Sequence, residues 1–236
     1  MAAESGIPNS RGRAPIGGSP DGAARPVSAS SSRPGRRERT AFATDLDRTI
    51  LRPGGQATPA GRAALREARA MGLCTLLVSG REYPPLARFA RAFRELDGIV
   101  AENGAIVEAP LGSPPTVVGR RAAVNFHRRL LERSDLHCQF GEVVVSAPLG
   151  ERRGLLDALG SLPVRVIANV DRLMVLPDGV SKRSGTRLAL RQLGLSRTSY
   201  AAIGNAENDL EMLRGASLAG AVANAEPSIR SVVDYV

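Results

Sequence analysis

Short apolar runs alternate with longer amphipathic stretches along the chain from Thr40 onward. The run Leu73–Val78 is almost continuously apolar, which is typical of a strand buried on both faces of a sheet. Thr58 and Pro59 provide an N-cap and a first-turn proline, and Gly72 ends the amphipathic stretch that follows them. The elements predicted in this part of the chain are strand Thr40–Thr44, helix Ala60–Met71, strand Leu73–Val78, helix Pro85–Leu96 and strand Gly98–Ala101.

The same alternation returns after residue 180. The elements predicted there are helix Ser181–Leu193, strand Tyr200–Ile203, helix Ala206–Arg214 and strand Leu218–Val222. Strands that alternate with helices favour a parallel sheet that is covered by helices on both faces.

Residues 108–177 have a different pattern, in which helices are mixed with several strands. The elements predicted there are helices Val117–Arg133 and Glu151–Leu159, and strands Gly141–Ala147, Val164–Ala168 and Arg172–Leu176. The sequence therefore predicts an α/β fold with a doubly wound parallel-sheet core. Residues 39–107 and 178–236 form this core, and residues 108–177 form a small α+β cap that interrupts it.

Residues 1–38 are rich in Gly, Pro, Ser, Ala and Arg and show no hydrophobic periodicity. Such a segment cannot bury enough apolar surface to offset the entropy of ordering it, so we predict a disordered basic tail. It lacks the apolar region of a secretory signal, and its Pro and Gly residues disfavour the amphipathic helix of an organelle transit peptide. We expect the activity of the chain to survive removal of this tail.

Charge and composition narrow the class of partner. The formal net charge is +9, of which residues 1–39, with seven Arg and three acidic residues, contribute about +4. The remainder is spread out, without a dense basic block or interleaved aromatic residues, so we expect no nucleic-acid partner. No apolar stretch approaches the roughly 20 residues of a membrane helix, and Cys74 and Cys138 form no pairing pattern. We therefore expect a cytoplasmic protein with no membrane partner.

Candidate chemistry lies at the ends of the predicted strands, where open α/β sheets bind their ligands. Asp45 and Asp47 directly follow the first strand. Two carboxylates in this position can hold one hard cation, or one can attack while the other moves protons. For this pair taken alone, an acidic turn that closes the strand is the alternative.

Two further groups occupy similar positions. Ser79-Gly80-Arg81 follows the second core strand, where a hydroxyl and free backbone N–H groups make a phosphate pocket, although an ordinary glycine turn fits as well. Lys182 is the only lysine of the chain and begins a predicted helix. A lysine there opposes the helix dipole, so a chemical role explains it better than a surface position does.

The fourth group is the loop Gly204–Asp209, which follows the strand Tyr200–Ile203. It clusters the oxygen-bearing side chains of Asn205, Asn208 and Asp209 at the start of a helix. Helix capping is the alternative for any one of them, but a single cap does not require so many.

Together these groups closely resemble the motifs of the haloacid dehalogenase (HAD) superfamily, in the order nucleophile, hydroxyl, lysine and acidic loop. The resemblance extends to its type IIB phosphatases, which carry an α/β cap between the second and third motifs, and it covers about residues 40–236. The matching stretches are Ala43–Thr49, Val78–Arg81, Val100–Ala105, Gly179–Gly185, Ile203–Leu213 and Ala221–Ala225.

The resemblance implies that Asp45 attacks phosphorus to form an aspartyl-phosphate. Asp47 would then protonate the leaving alcohol and later activate water. The implied cofactor is Mg²⁺, held by Asp45, the backbone carbonyl of Asp47 and the side chain of Asn205, with Asp209 supporting the metal site.

The resemblance also assigns a set of residues to the substrate, namely Ser79, Gly80, Arg81, Lys182 and Asn208. Ser79 and Lys182 would bind the transferring phosphoryl group, and Asn208 would help to hold phosphate or Lys182. The leaving group would be selected by Arg81, Asn103 and residues of the cap.

The chain departs from the family pattern at two positions near the nucleophile. Asn205 stands where the family usually has Asp, which removes one negative charge, so we expect a weakened metal affinity rather than an inactive enzyme. Arg48 stands where Gly is commonest, and its side chain could narrow the pocket.

These observations predict a Mg²⁺-dependent phosphatase that hydrolyses a small phosphate monoester, such as a sugar phosphate or a phosphoglycolate-like compound. The partner would be a small phosphorylated metabolite, and the chain would be a monomer or a homodimer. Two alternatives stay open, a phosphomutase that passes the phosphoryl group to a sugar hydroxyl and a non-catalytic relative that binds a phosphorylated ligand.

Overall fold

A computed structural model describes residues 40–169, 171–195 and 199–236. The basic tail predicted for residues 1–38 lies outside the described residues. None of the helices within the described ranges has the length and apolar character that a membrane span requires.

The larger of two sheets has seven strands in the order β11-β10-β1-β2-β3-β4-β5. These strands are β1 (Ala41–Asp45), β2 (Cys74–Val78), β3 (Gly98–Ala101), β4 (Ile106–Glu108), β5 (Thr116–Val117), β10 (Tyr200–Gly204) and β11 (Leu218–Ala221). The first five in this order pair in parallel, and β4 and β5 extend the sheet antiparallel to their neighbours. The predicted α/β class with a doubly wound, mainly parallel sheet is confirmed.

Helices cover both faces of this sheet. They are α1 (Pro59–Ala70), α2 (Tyr83–Ala90), α5 (Lys182–Gln192), α6 (Leu210–Arg214) and α7 (Pro227–Arg230). Successive residues of a strand point to opposite faces. Leu77 of β2 accordingly packs in the apolar cluster that contains α1 and α2, whereas Leu76 and Val78 pack with α5 and α6.

The smaller sheet is antiparallel, with the strand order β6-β7-β9-β8. Its strands are β6 (Gln139–Phe140), β7 (Val145–Pro148), β8 (Val164–Asn169) and β9 (Arg172–Pro177), and its helices are α3 (Arg120–Leu131) and α4 (Arg152–Leu159). Phe126 and Leu130 of α3 and Leu155 of α4 are buried in the same apolar cluster as Val145 and Val175 of the sheet. That cluster continues into the α1 and α2 face of the larger sheet.

Two predicted helices have different limits in the structure. The helix predicted over Pro85–Leu96 ends at Ala90, after which turns bring Phe93 and Leu96 into the core without helical spacing. The helix predicted from Val117 begins at Arg120, because residues 116 and 117 pair with β4 as an edge strand. The division of the chain at residue 108 stays a prediction, and β5 belongs to the larger sheet.

Candidate active site

The predicted chemical groups meet at the carboxyl ends of three adjacent strands. Asp45 is the last residue of β1, Ser79 follows β2, Asn205 follows β10, and Lys182 is the first residue of α5. Because β10, β1 and β2 are neighbours in the sheet, their ends bring together groups that are far apart in the sequence.

Lys182 is the centre of a buried ionic cluster. Its Nζ donates hydrogen bonds to Asp45 Oδ1 at 2.6 Å and to Asp209 Oδ1 at 2.5 Å. All three side chains are buried. A capping box formed by Ser181 and Ser184 starts α5 and fixes where Lys182 leaves the backbone. The three charged groups therefore form one fixed unit.

Two carboxylates share one ammonium group in this cluster, so the buried charges are not balanced. Burial, together with the charge of Asp209, raises the pKa of Asp45 to about 7. Burial disfavours the charged form of Lys182, but the carboxylates of Asp209 and Asp45 outweigh that effect and raise its pKa. The lysine stays protonated, and the cluster favours a further positive charge beside Asp45.

Asp209 organises the loop that follows β10. Its Oδ2 accepts hydrogen bonds from the backbone N–H groups of Asn205 and Ala206, at 2.8 and 3.1 Å. Gly204 leaves room for this carboxylate, because a Cβ at position 204 would lie 2.6 Å from Asp209 Cγ. Both oxygens of Asp209 are thus engaged within the protein, so this residue supports the site from behind Asn205.

Asp45 and Asn205 present oxygen atoms that fit a hard cation. Asp45 Oδ2 is buried without a hydrogen-bond partner in the part of the chain that the structure describes. Asn205 Oδ1 accepts a long hydrogen bond of 3.4 Å from Thr49 Oγ1. Across residues 40–169, 171–195 and 199–236, no group of three or more His, Cys, Asp or Glu side chains is placed to hold a metal ion. A cation here would therefore need the amide oxygen of Asn205 and a backbone carbonyl, which are donors that Mg²⁺ accepts.

Ser79, Gly80 and Arg81 lie on the other side of Asp45. The buried Ser79 Oγ accepts a hydrogen bond from the backbone N–H of Arg81 at 3.2 Å. The side chain of Arg81 forms an ion pair with the carboxylate of Asp47, with 2.6 Å between Nη2 and Oδ1. The predicted acid–base residue and the predicted phosphate loop therefore face the same space.

A cleft of about 860 Å³ opens over this space, between the ends of the larger sheet and the smaller sheet. The basic side chains that line it are Arg48, Arg52, Arg81 and Arg172. Arg48 has a backbone φ of 61°, in the left-handed region that favours glycine. Arg48, which stands where the family usually has Gly, therefore also has a strained backbone conformation.

Asn208 lies within the same loop but contacts a different residue from those expected. Its Nδ2 donates to Asn103 Oδ1 at 2.9 Å, and the hydrogen bonds of Lys182 go to the two carboxylates instead. The predicted contact of Asn208 with phosphate stays a prediction.

Glu102 is a structural residue of the site that sequence reasoning missed. Its buried carboxylate accepts hydrogen bonds from the backbone N–H groups of Glu142, Val143 and Val144, at 3.0, 2.8 and 3.0 Å. Gly141 completes this junction, because a Cβ there would lie 2.7 Å from Glu102 Oε2. Glu102 thereby ties the end of β3 to the loop that enters the smaller sheet, and only the motif around Asn103 hinted at this position.

Comparisons with known proteins show which family the chain resembles. The sequence model of the haloacid dehalogenase-like hydrolase family matches residues 42–113 and 166–236 of this chain. A phosphoglycolate phosphatase of Methanothermobacter thermautotrophicus is 29% identical over 209 residues, which are 83% of this chain and 90% of the relative. A phosphoglycolate phosphatase of Metallosphaera sedula is 30% identical, over 80% of this chain and 87% of the relative.

Solved structures share the fold. A crystal structure from Thermoplasma acidophilum superposes with a TM-score of 0.70 at 17% identity, covering 84% of this chain and 91% of that one. A sugar phosphatase of HAD subclass IIB superposes with a TM-score of 0.66 at 17% identity, covering 84% and 92% of the two chains. The predicted HAD resemblance and the predicted class of phosphoric monoester hydrolase are confirmed. On the family match, which spans the segments that carry Asp45, Lys182 and Asp209, the chain belongs to the haloacid dehalogenase-like hydrolase family.

Proposed function

We propose that the chain is a Mg²⁺-dependent phosphatase that uses Asp45 as its nucleophile and hydrolyses a small phosphate monoester. One observation carries the proposal. Asp45 ends β1, two residues before Asp47, which lines the cleft. One of its carboxylate oxygens is held by the buried Lys182, and the other has no hydrogen-bond partner among the described residues. A carboxylate that is held at one oxygen and unpaired at the other is oriented for attack on phosphorus.

Phosphatases of this family in general use a divalent metal, typically Mg²⁺. Here the residues that would hold it are Asp45, the backbone carbonyl of Asp47 and Asn205, with Asp209 as the support. When bound, the ion would neutralise the charge of the phosphoryl oxygens. The incompletely balanced charge of the Lys182 cluster favours such an ion.

The phosphoryl group would be held by the ammonium of Lys182, the hydroxyl of Ser79 and the backbone N–H of Gly80. Phosphoryl transfer needs in-line positioning and charge neutralisation more than it needs further covalent chemistry. Asn208 would also help to hold the phosphoryl group.

The reaction follows in two displacements. A carboxylate oxygen of Asp45 attacks phosphorus, the bond to the ester oxygen breaks, and the protonated form of Asp47 gives a proton to the leaving alcohol. Water then attacks the aspartyl-phosphate and gives a proton to Asp47, and inorganic phosphate leaves as the carboxylate of Asp45 is restored.

The proposed substrate is a phosphorylated metabolite of the size of phosphoglycolate or a sugar phosphate. The names of the relatives support this range, and so does the volume of the cleft, which accommodates a small ligand. We further propose that residues 108–177 act as a cap over a core formed by residues 39–107 and 178–236, because side chains of both sheets line the cleft.

Release of inorganic phosphate by the purified full chain, from a panel of phosphate monoesters with Mg²⁺, tests the proposal. We expect Asp45→Asn to lower phosphate release by roughly a thousandfold or more, and removal of Mg²⁺ by a chelator to do the same. The matched control is Asp157→Asn, an exposed carboxylate on α4, which should retain full activity. Phosphate release that survives Asp45→Asn would refute the nucleophile assignment, and transfer to a sugar hydroxyl without release would indicate a mutase.

A further inference from the structure

Asn103 carries a buried donor that nothing in the described structure satisfies. Its side chain is fully buried, and its Oδ1 accepts from Asn208 Nδ2 at 2.9 Å. Its Nδ2 has no hydrogen-bond partner among the described residues. A buried amide N–H without a partner costs free energy. An unsatisfied donor beside Gly80, which lines the cleft, therefore points to an acceptor that arrives with a ligand.

The backbone holds this amide in one place. Asn103 has a φ of 52°, a left-handed conformation, and its N–H donates to the carbonyl of Ser79 at 3.0 Å. The contact with Asn208 then sets the plane of the side-chain amide. Asn103 is thus a positioned donor next to the predicted phosphate loop.

A second amide reaches the same space from the smaller sheet. Asn169 is the last residue of β8, is half-buried, and lines the cleft. A Cβ at Gly80 would lie 3.1 Å from Asn169 Nδ2 and 3.2 Å from Asn103 Nδ2. Two donor nitrogens on two different sheets therefore approach one point beside the backbone of Gly80, where a side chain would hinder them.

We propose that Asn103 and Asn169 form a subsite that binds an oxygen atom of the leaving group. This inference rests on the proposed phosphatase function. The strand order places Asn103, after β3, on the far side of Ser79 from Asp45. Lys182 and Ser79, which we propose to bind the phosphoryl group, therefore lie nearer the nucleophile than Asn103 does. Asn169 lines the cleft from the smaller sheet, on the side where the rest of the ester would extend.

The chemistry of the subsite defines a class of substrate. Two amide nitrogens only donate hydrogen bonds, so their ligand is an acceptor, either a hydroxyl or a carboxylate oxygen. A site that hydrogen-bonds such an oxygen rejects an analogue that lacks it, because its buried donors are then left unpaired. The enzyme prefers esters whose leaving group bears an oxygen close to the phosphate.

Three esters with a two-carbon leaving group test the subsite: ethyl phosphate, 2-hydroxyethyl phosphate and phosphoglycolate. For each ester, the measured quantity is its kcat/KM divided by the kcat/KM for ethyl phosphate. In Asn169→Ala this ratio should fall roughly tenfold for 2-hydroxyethyl phosphate, and more for phosphoglycolate. Asn169→Asp replaces the donor by a negative charge, and should penalise phosphoglycolate most. The matched control is Asn125→Ala, an exposed amide on α3, which should change none of the three ratios.

Asn103→Asp retains an acceptor for Asn208 but removes the free donor, and should show the same order of losses. If that variant does not fold, the Asn169 variants decide alone. Equal losses for all three esters would place the amides on the phosphoryl group and overturn the proposal, as would unchanged ratios.

Failure of the phosphatase function would appear separately, as no phosphate release from the unmodified chain. In that case calorimetry in the Asp45→Asn background decides. Phosphoglycolate should bind more tightly than ethyl phosphate, and Asn169→Ala should remove that difference. A difference that persists would overturn the subsite.

Discussion

The guanidinium group of Arg81 forms a bidentate ion pair with the carboxylate of Asp47. Nε donates to Oδ2 at 2.8 Å and Nη2 donates to Oδ1 at 2.6 Å. Both side chains are partly exposed to the cleft. Bidentate pairing fixes the plane of a carboxylate as well as its position. Arg81 is therefore a positioning residue for the group that we propose to move protons.

Arg81→Lys should slow the reaction in a way that depends on the leaving group, because a lysine cannot hold a carboxylate in one plane. We expect kcat to fall about tenfold to a hundredfold for ethyl phosphate, whose departure needs a proton. For p-nitrophenyl phosphate, whose leaving group departs with little protonation, the fall should be much smaller. Steady-state kinetics with both esters measures this difference.

The matched control for Arg81 is Arg88→Lys, an exposed guanidinium on α2, which should leave both rates unchanged. Equal losses for the two esters would contradict a positioning role through Asp47. They would show instead that Arg81 acts on a step common to both substrates.

Glu102 should contribute strongly to stability, because its carboxylate accepts hydrogen bonds from three backbone N–H groups in the loop before β7. In Glu102→Ala, the buried donors of Val143 and Val144 lose their acceptor. We expect the free energy of unfolding to fall by about 3 kcal/mol. Urea titration measures this, with the exposed Glu67→Ala of α1 as a control that changes it by about 0.5 kcal/mol or less. If Glu102→Ala lowered the free energy of unfolding by no more than Glu67→Ala does, the stabilising role of Glu102 would be contradicted.

The contrast between Lys182 and Glu102 shows what the sequence can and cannot predict. Lys182, Asp45 and Ser79 lie at strand ends or a helix start, so the order of elements is enough to bring them to one edge of a sheet. Glu102 and Asn169 make their contacts between the two sheets. Glu102 accepts a hydrogen bond from the backbone N–H of Glu142, 40 residues away, and Asn169 of β8 approaches Gly80. Such contacts depend on how the smaller sheet sits, which no local pattern encodes.

The limits of α2 show a similar effect. Phe93 and Leu96 continue the apolar spacing of a helix, yet both enter the core through turns after Ala90. Burial explains their apolar character equally well in either backbone conformation, so periodicity alone misplaces the end of the helix.

Lys182→Met should destabilise the protein in the absence of metal. The change removes the ammonium group that lies between Asp45 and Asp209 and leaves two buried carboxylates without a counter-charge. Breaking a buried ion pair in this way costs about 3–5 kcal/mol. Thermal unfolding in the presence of a chelator measures the loss, and the exposed neighbour Arg183→Met is the control. A melting temperature equal to that of the unmodified chain would show that Lys182 does not stabilise the two carboxylates.

Asn205→Asp should strengthen metal binding. Asn205 follows β10, the strand beside β1 that ends at Asp45, and its Oδ1 accepts a long hydrogen bond of 3.4 Å from Thr49 Oγ1. A carboxylate at this position adds a negative charge to a site that already favours a cation, and ligand charge raises the affinity for hard ions. We expect the Mg²⁺ concentration for half-maximal phosphate release to fall about tenfold, since 1.4 kcal/mol corresponds to that factor. Asn125→Asp adds the same charge on the exposed face of α3 and should not alter the requirement. An unchanged Mg²⁺ requirement in Asn205→Asp would exclude residue 205 from the ligands of the metal, and the cation would then depend on Asp45 and backbone oxygens alone.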